Sequence, residues 1–362
     1  MDARVVTNGH VYDVTYDRVM LWQVLVHGAV IDDCEDQPAP VAAPFDVSVD
    51  DALLRASGHD AGYALAGDPD VALHDHTVAH TLEVDLSAVG FRDRHVSVTV
   101  PAAPVFPVVA ADVAMRRVPV SLQGRIMTLA TGDPVPGARI DLLGPALPAP
   151  RRAVLLSSPL ARALTAAATV RGKALAAVAS AVPVKTARDE APAGAVRLLL
   201  DDRQGLAPGQ LLRFGPAHRA HFAQIQSVSN DPANLALSGT MTLTAPLARG
   251  VRRGDAAAPF TLGANAGPSA APVGDAFAGE AVLILDDLVA GDVLVVTDAP
   301  NPLAFHARGI VADASGRYLI QGLSRLQRPL LRITAAGFAA LSRAVPMRWA
   351  QPVSPLDWRM TP

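Results

Sequence analysis

The chain has 362 residues, of which 50% are hydrophobic and 18% are charged, with a formal net charge of −3 and a pI near 6.4. This length predicts two or three domains, and the apolar fraction is enough for packed cores rather than wholesale disorder. The charge leaves no basic field to attract nucleic acid, and the single Cys34 excludes an intrachain disulfide or a cysteine-based zinc site.

Residues 1–20 are predicted to form an N-terminal arm. Valines alternate with polar residues there, and charges interrupt any apolar run of signal-peptide length. We therefore expect synthesis in the cytoplasm without a signal peptide, and an arm that can add to a neighbour's sheet. The weakly charged run "VTVPAAPVFPVVAADVAM" contains three prolines, which would interrupt a membrane-spanning helix, so we expect no membrane insertion. Residues 106–118 are instead predicted to be an extended linker.

A repeat on both sides of this linker predicts two β-sandwiches. Ten residues separate Gly28 from Pro38 and Gly124 from Pro134, and alternating strand patterns flank both intervals. Further on, "GYALAG" and "GRYLIQG" each precede a strand that ends in Ala-x-Gly-Phe. The alternation predicts that both phenylalanines, Phe91 and Phe338, enter a core. The first sandwich is expected over 21–105 and the second over 119–150 with 300–362.

Residues 151–299 interrupt the second sandwich and are expected to fold on their own. Strands and turns over 191–262 predict a small β-barrel of five or six strands, and "AGEAVLILDDLVAGDVLVV" echoes its start. The Ala-rich segment 158–182 could be a helix that begins at Ser158 and Pro159. Thr169, Val170 and Gly172 leave a strand open as the alternative.

The motif order resembles a known family. Gly-x-Val/Ile, Pro-x-x-Gly-Ala-x-Ile-x-Leu, Asp-x-x-Gly-x-Tyr-x-Ile and Ala-x-Gly-Phe together resemble the carboxypeptidase regulatory-like domain, a transthyretin-like β-sandwich. The resemblance implies an accessory or scaffolding module without catalytic residues, and the insert is similar to small β-barrels of phage tail and tail-like proteins. The expected fold is all-β, with two Ig/transthyretin-like sandwiches, the second interrupted by the barrel.

The candidate metal site is "HDHTVAH". His74, His76 and His80 would share one face if this stretch were a strand, and three imidazoles can hold zinc or copper. The alternative is a loop of solvated histidines, and we expect no metal and no cofactor. His80 and Glu83 spell the His-x-x-Glu of zinc carboxypeptidases, but residues three apart on a strand face opposite sides. His218 and His221 are predicted to lie in a solvated turn.

No nucleophile elbow, phosphate-binding loop or dinucleotide fingerprint occurs in the sequence, so an enzyme is not expected. The leading hypothesis is a structural or interaction subunit of a phage tail or a phage-derived contractile injection particle. Its partners would be other protein subunits, a homo-oligomer being left open, and not nucleic acid. The alternative is a glycan- or surface-binding module, against which the small number of aromatic residues counts.

Overall fold

The computed structural model describes residues 2–7, 10–15, 23–34, 39–73, 75–143, 151–178, 182–214, 221–230, 237–296, 304–306, 309–347 and 353–362. The protein is all-β, with many strands in several sheets. By internal packing it divides into a first unit, Met1–Asp33 with Ala39–Met115, and a second unit, Cys34–Pro38 with Arg116–Pro362.

The described elements of the first unit are β1 (Asp2–Thr7), β2 (His10–Thr15), β3 (Gln23–Asp32), β4 (Ala39–Pro40), β5 (Phe45–Val49), β6 (Arg55–His59), β7 (Gly62–Gly67), α1 (Pro69–Ala72), β8 (His80–Ala88), β9 (Arg94–Val100), β10 (Val108–Val109) and β11 (Val113–Met115).

The described strands of the second unit are β12 (Val120–Thr128), β13 (Arg139–Leu142), β14 (Arg152–Leu155), β15 (Val170–Ala177), β16 (Lys185–Thr186), β17 (Arg197–Leu200), β18 (Leu211–Phe214), β19 (His221–Asn230), β20 (Gly239–Leu243), β21 (Ala256–Ala270), β22 (Val282–Leu285), β23 (Val293–Val296), β24 (Ala304–His306), β25 (Ile310–Val311), β26 (Arg317–Leu323), β27 (Leu330–Thr334), β28 (Leu341–Ala344), β29 (Val353–Pro355) and β30 (Trp358–Met360).

Two sheets of the first unit share one core. In one sheet β3 pairs with β7, and β7 pairs with the edge strand β6; in the other, β8 lies between β5 and β9. Alternate side chains of β7 and β8 are buried, as a two-residue period requires. The core includes Leu25, Val26, Tyr63, Leu65, Val84, Leu86, Phe91 and Val98.

Residues 106–118, predicted as a linker, belong largely to the first unit. Val108–Val109 and Val113–Met115 pair with β3 in parallel, and the side chains of Val113 and Met115 are buried. The first unit therefore extends beyond residue 105. Strands of two and three residues are too short to show an alternating pattern, which is why the sequence did not indicate them.

The strands at both ends of the second unit pair as those of the first unit do. β12 pairs antiparallel with β26 and in parallel with β29 and β30, while β13 pairs with β25 and β27, and β27 with β28. The register agrees between the units: Gly28 lies opposite Tyr63 and Gly124 opposite Tyr318, and the parallel partners are Val30 with Val113 and Ile126 with Trp358.

The glycines of this repeat allow close approach. A Cβ at Gly28 would lie 2.6 Å from the Tyr63 ring, and a Cβ at Gly124 would collide with the Leu356 carbonyl. Phe91, after the first Ala-x-Gly, is 6% exposed in the core, whereas Phe338 is only partly buried against its core. The prediction that Phe91 enters a core is confirmed, whereas Phe338 packs against its core without being buried in it.

The Ala-rich segment 158–182 is not a helix in its described part. Its regular structure is the strand β15, in which Val170 is fully buried and Arg171 is exposed. β-Branched residues favour this conformation, and Gly172 is needed because a Cβ there would collide with the Ala290 carbonyl. Strand pairing thus overrides the helix propensity of alanine.

Between β13 and β25 the same set of pairings occurs twice. We call residues 151–178 with 269–306 the outer repeat and residues 182–265 the inner repeat; the inner one follows β15 of the outer one in the chain. Four contacts of the outer repeat each have an equivalent in the inner repeat. In the outer repeat, Leu164 bridges to Ala276, Gly279 N donates to Leu160 O (2.8 Å), Ala271 N donates to Asp286 Oδ1 (2.7 Å) and Lys173 pairs with Val293. The equivalents in the inner repeat, in the same order, are the bridge of Val251 to Ala191, Gly194 N to Leu247 O (2.8 Å), Thr186 N to Asp201 Oδ1 (2.8 Å) and the pairing of Phe260 with Leu211.

Two strands of the outer repeat are buried on both faces. Every residue of β22 and β23 is buried. In β22, Val282 and Ile284 enter the core of the terminal strands, while Leu283 and Leu285 enter the core of the outer repeat. In β23, Val293 packs with Leu211 of the inner repeat. The segment 151–299, expected to fold on its own, therefore shares a core with the strands that flank it.

Candidate functional site

His76 and His80 of the candidate metal site do not lie together on one strand. His74 lies outside the described residues. His76 is in a turn, where its Nε2 is 3.2 Å from the Pro69 carbonyl and its ring packs edge-on against Phe106 at 5.9 Å. His80 begins β8, with Nε2 2.7 Å from the Asp75 carbonyl. In the described part of the chain, no three His, Cys, Asp or Glu side chains are grouped so as to hold a metal ion.

Glu83 belongs to a different cluster, on the exposed face of β8 and β9. The His95 ring lies between two carboxylates, with Nδ1 2.7 Å from Asp85 Oδ1 and Nε2 3.0 Å from Glu83 Oε2. The hydroxyl of Ser97 also donates to Glu83. The hydrogen bond to Asp85 is the main cause of a raised His95 pKa. Because all these groups are open to water, the cluster is a charged surface rather than a catalytic pocket.

A cleft of about 670 Å³ lies at the junction of the two repeats and β26. Its walls include equivalent turns of the repeats, 159–161 from the outer and 246–248 from the inner. Gly279 and Gly194, which also occupy equivalent positions, lie beside these turns, and Leu319 and Gln321 come from β26. The repeat thus places two copies of one turn at a single cleft.

Among the described residues that line the cleft, the ionisable side chains come from the inner repeat: Glu190, His221, Arg249, Arg252 and Asp255. His221 was predicted in a solvated turn; it is instead 2% exposed at the start of β19, and its ring packs on Phe214 at 5.5 Å. His218 lies outside the described residues. Sequence reasoning missed Arg249 because an isolated arginine after a Pro-Leu-Ala turn has no recognised pattern.

The charged residues of the cleft differ in their burial and in their contacts. Its described lining contains no Ser, Thr, Cys, Lys or Tyr that could act as a nucleophile. The guanidinium nitrogens of Arg249 are buried in the wall, and Asp255 accepts a hydrogen bond of 2.8 Å from the backbone nitrogen of Arg252. Asp255 therefore has a structural role in its own turn.

Comparisons with known proteins identify no family for this chain. No family model matches the sequence, and no curated protein matches it. A solved structure of the major pilin subunit of Bacillus cereus is similar at 8% sequence identity, covering 94% of this chain and 100% of that one, with a TM-score of 0.19. A score this low supports no argument about fold or function. In the described residues no helix has the length and apolar character needed to span a membrane.

Proposed function

We propose that the protein is a non-catalytic structural or interaction subunit of a larger assembly, in particular of a phage tail or a tail-like contractile injection particle assembled in the cytoplasm. The observation that carries this proposal is the continuous packing of the second unit through β22 and β23. Each strand is buried on both faces and therefore belongs to two cores at once. Strands that are shared between cores suit a subunit that must resist deformation when force acts on the assembly.

The proposed architecture is two transthyretin-like sandwiches, the second interrupted by two nested barrel-like repeats. The matching registers of β3 and β12 with their partners support the two sandwiches. In the inner repeat the pairings run from β17 through β20, β19, β18 and β21 to β16, and the bridge between Ala187 and Leu200 returns to β17. A closed ring of this kind supports a small barrel.

Buried polar contacts fix the outer repeat to the chain around it. Arg116 donates from Nη2 to the Asp275 carbonyl at 2.9 Å, and its guanidinium lies 5.5 Å from the centre of the Phe277 ring. Glu280, fully buried, accepts from Phe277 N at 3.1 Å and lies 3.8 Å from Arg116 Nε. Arg325 donates to the Val273 carbonyl at 2.9 Å. These hydrogen bonds hold the segment 273–280, which leads into β22, in one orientation.

Exposed sheet edges offer surfaces for other subunits. β6 and β28 end the order of their sheets in the described part of the chain, and most of their side chains are exposed. Unpaired strand edges are ready templates for strand addition, which natural proteins either guard or use. The arm contributes a further pair of strands, β1 and β2, joined antiparallel. We propose that these edges and the arm contact neighbouring subunits.

Deleting residues 1–20 tests the role of the arm. The tagged full-length protein and the deletion variant would each replace the native copy, and their co-purifying proteins would be identified by mass spectrometry. We expect tail, tube or baseplate components with the full-length protein and their loss with the variant. Equal recovery of such components with both proteins would contradict a role for the arm. Capture of no particle component by either would contradict the proposed function.

A glycan-binding module is the second candidate and has less support. Sugar-binding sites favour aromatic platforms, and no Phe, Tyr or Trp is found among the described residues that line the cleft. The same purified protein, tested for binding to an oligosaccharide panel, separates the two candidates. Tight binding by a free monomer would favour the glycan module.

A further inference from the structure

We propose that β9 of the first unit is a pairing edge, at which a second copy of this chain adds its own β9 antiparallel and joins the two sheets into one. This inference rests on the proposed function, in which the chain is a subunit, and it names one partner as a second copy. β9 (Arg94–Val100) ends its sheet in the described part of the chain, next to β8. An unpaired strand edge presents N–H and C=O groups to which another strand can bond.

The register of the sheet shows which backbone groups of β9 point outward. Asp50 N donates to Glu83 O at 3.1 Å, so Glu83 turns its backbone groups toward β5. These directions alternate along β8, so Val84 turns its groups toward its partner on β9, Val96. The alternate residues of β9, all exposed, therefore direct their backbone groups away from the sheet: His95, Ser97 and Thr99. In the described part of the chain no further strand or loop bonds to these groups.

The second unit contains an equivalent edge that offers fewer donors. The Ala-x-Gly-Phe motifs after β8 and β27 align these strands, and therefore align β9 with β28. Thr99 then corresponds to Pro346, just after β28, and proline has no N–H. The nitrogen before it, Val345 N, bonds back into the sheet at Pro329 O (3.0 Å), so the nitrogen of Pro346 faces outward. Proline thus removes a donor from the edge of β28 without breaking a bond of the sheet.

A charge also protects β28 and is missing from β9. Arg343 of β28 pairs with Leu331, and its counterpart Val96 pairs with Val84. Arg343 is exposed, whereas Val96 is partly buried against the core of the first unit. Charges and prolines on an edge strand discourage strand addition, and residues 96–100 of β9 include neither. The chain therefore guards one copy of this edge and leaves the other open to a partner.

The sequence of β9 suits pairing with itself. Val96 and Val98 lie on either side of Ser97, and the polar His95 and Thr99 come next on the two sides. Two antiparallel copies centred on Ser97 would place Val96 opposite Val98 of the second copy, and His95 opposite Thr99 of the second copy. Valine thus faces valine on the core side, polar residues face polar residues on the exposed side, and no two charged side chains of β9 lie opposite each other.

Backbone hydrogen bonding favours the same register. His95, Ser97 and Thr99 of one copy would face Thr99, Ser97 and His95 of the other, and each facing pair can exchange two hydrogen bonds. Sliding the strands by two residues would bring in Pro101, which has no N–H to donate. This two-fold match of side chains and hydrogen bonds favours a second copy over a strand of another protein.

Disulfide crosslinking of the full-length protein tests the register. Ser97 lies on the two-fold axis of the proposed pair, where facing Cα atoms are about 5.5 Å apart, within the roughly 4.4–6.8 Å that a disulfide spans. Ser97→Cys should therefore give a covalent dimer under mild oxidation, measured by non-reducing electrophoresis, whereas the native Cys34 is buried. The matched control is Ala344→Cys, at the equivalent exposed position of β28, which should not crosslink under the same conditions.

Sedimentation equilibrium of the purified protein tests the edge itself. The wild type should form a species of twice the 37.6 kDa mass of one chain as its concentration rises. Thr99→Pro, which copies Pro346, should raise the dissociation constant at least about tenfold, because the Thr99 N–H is lost from both copies. Thr99→Ala removes the same side chain but keeps the N–H, and should leave the constant nearly unchanged.

The proposal is overturned by a monomer at every concentration, by equal crosslinking of Ser97→Cys and Ala344→Cys, or by equal dissociation constants for Thr99→Pro and Thr99→Ala. If Thr99→Pro fails to fold, the crosslinking comparison decides. A monomer whose β9 amides are protected from hydrogen exchange only after another particle protein is added would assign the edge to that protein, and would also overturn the proposal. Purified protein alone decides the dimer, whereas co-purification with tail components decides the proposed function, so the two can fail separately.

Discussion

Replacing Ile284 by alanine tests the claim that one strand joins two cores. Ile284 is fully buried on the face of β22 that enters the core of the terminal strands. The change removes three carbons, worth about 2.4 kcal/mol at about 0.8 kcal/mol each, and the cavity left behind brings the expected cost to about 3–4 kcal/mol. For a unit of this size we expect the melting temperature to fall by about 6–16 °C.

The assay follows the indole N–H signal of Trp358 by NMR during heating. This group donates to Tyr318 Oη at 2.9 Å inside the core that Ile284 enters. Leu283→Ala, on the opposite face of β22, should lower the melting temperature of the same signal because both faces belong to one cooperative structure. Leu288→Ala is the control, since that side chain is 62% exposed just after the strand. The reasoning is refuted if Leu283→Ala unfolds the repeats while the Trp358 signal persists to the wild-type temperature.

Three further predictions concern other parts of the chain. Phe91→Ala should lower the free energy of unfolding, measured by chemical denaturation, by about 3–5 kcal/mol, and Phe338→Ala should lower it clearly less, because only Phe91 is buried in a core. Equal losses in the two variants would contradict this difference in burial. Asp85→Asn should lower the pKa of His95, measured by NMR titration, toward its ordinary value, and an unchanged pKa would contradict the pairing. In the wild type the raised pKa stabilises the fold below about pH 6.5, and this stabilisation is lost as the pH rises through the folded-state pKa. Asp202→Ala should lower the free energy of unfolding by about 3–5 kcal/mol, because it leaves the buried ammonium of Lys185 without its carboxylate. Asp287 is the exposed counterpart of Asp202 in the outer repeat, so Asp287→Ala should change this free energy little, and similar losses in both variants would contradict the role of the ion pair.

The sequence indicated the terminal strands well because their constraints are local. Gly28 and Gly124 mark places where a ring or a carbonyl approaches the backbone, and Phe91 follows a strand with clear alternation. Such features depend on a few neighbouring residues, so they can be recognised without the rest of the fold.

The remaining features depend on distant partners. β15 was ambiguous in sequence because alanine favours a helix, and only pairing with β21 and β23 makes it a strand. The repeat inside the second unit was detectable in part: "SPLARAL" and "APLARGV" are alike, and they form the equivalent turns of the cleft. The cleft itself combines residues from three parts of the chain, so its composition could not be inferred before those parts were placed.

The central claim is that the protein is a subunit of a particle, and sedimentation of the native protein tests it most directly. A lysate of the organism that encodes it would be separated on a density gradient, with the protein followed by an antibody and the fractions viewed by negative-stain electron microscopy. The account predicts that the protein sediments with tail-like particles and that their fractions contain sheath, tube or baseplate proteins. Recovery only as a free monomer, at the size of a single 37.6 kDa chain, would contradict it.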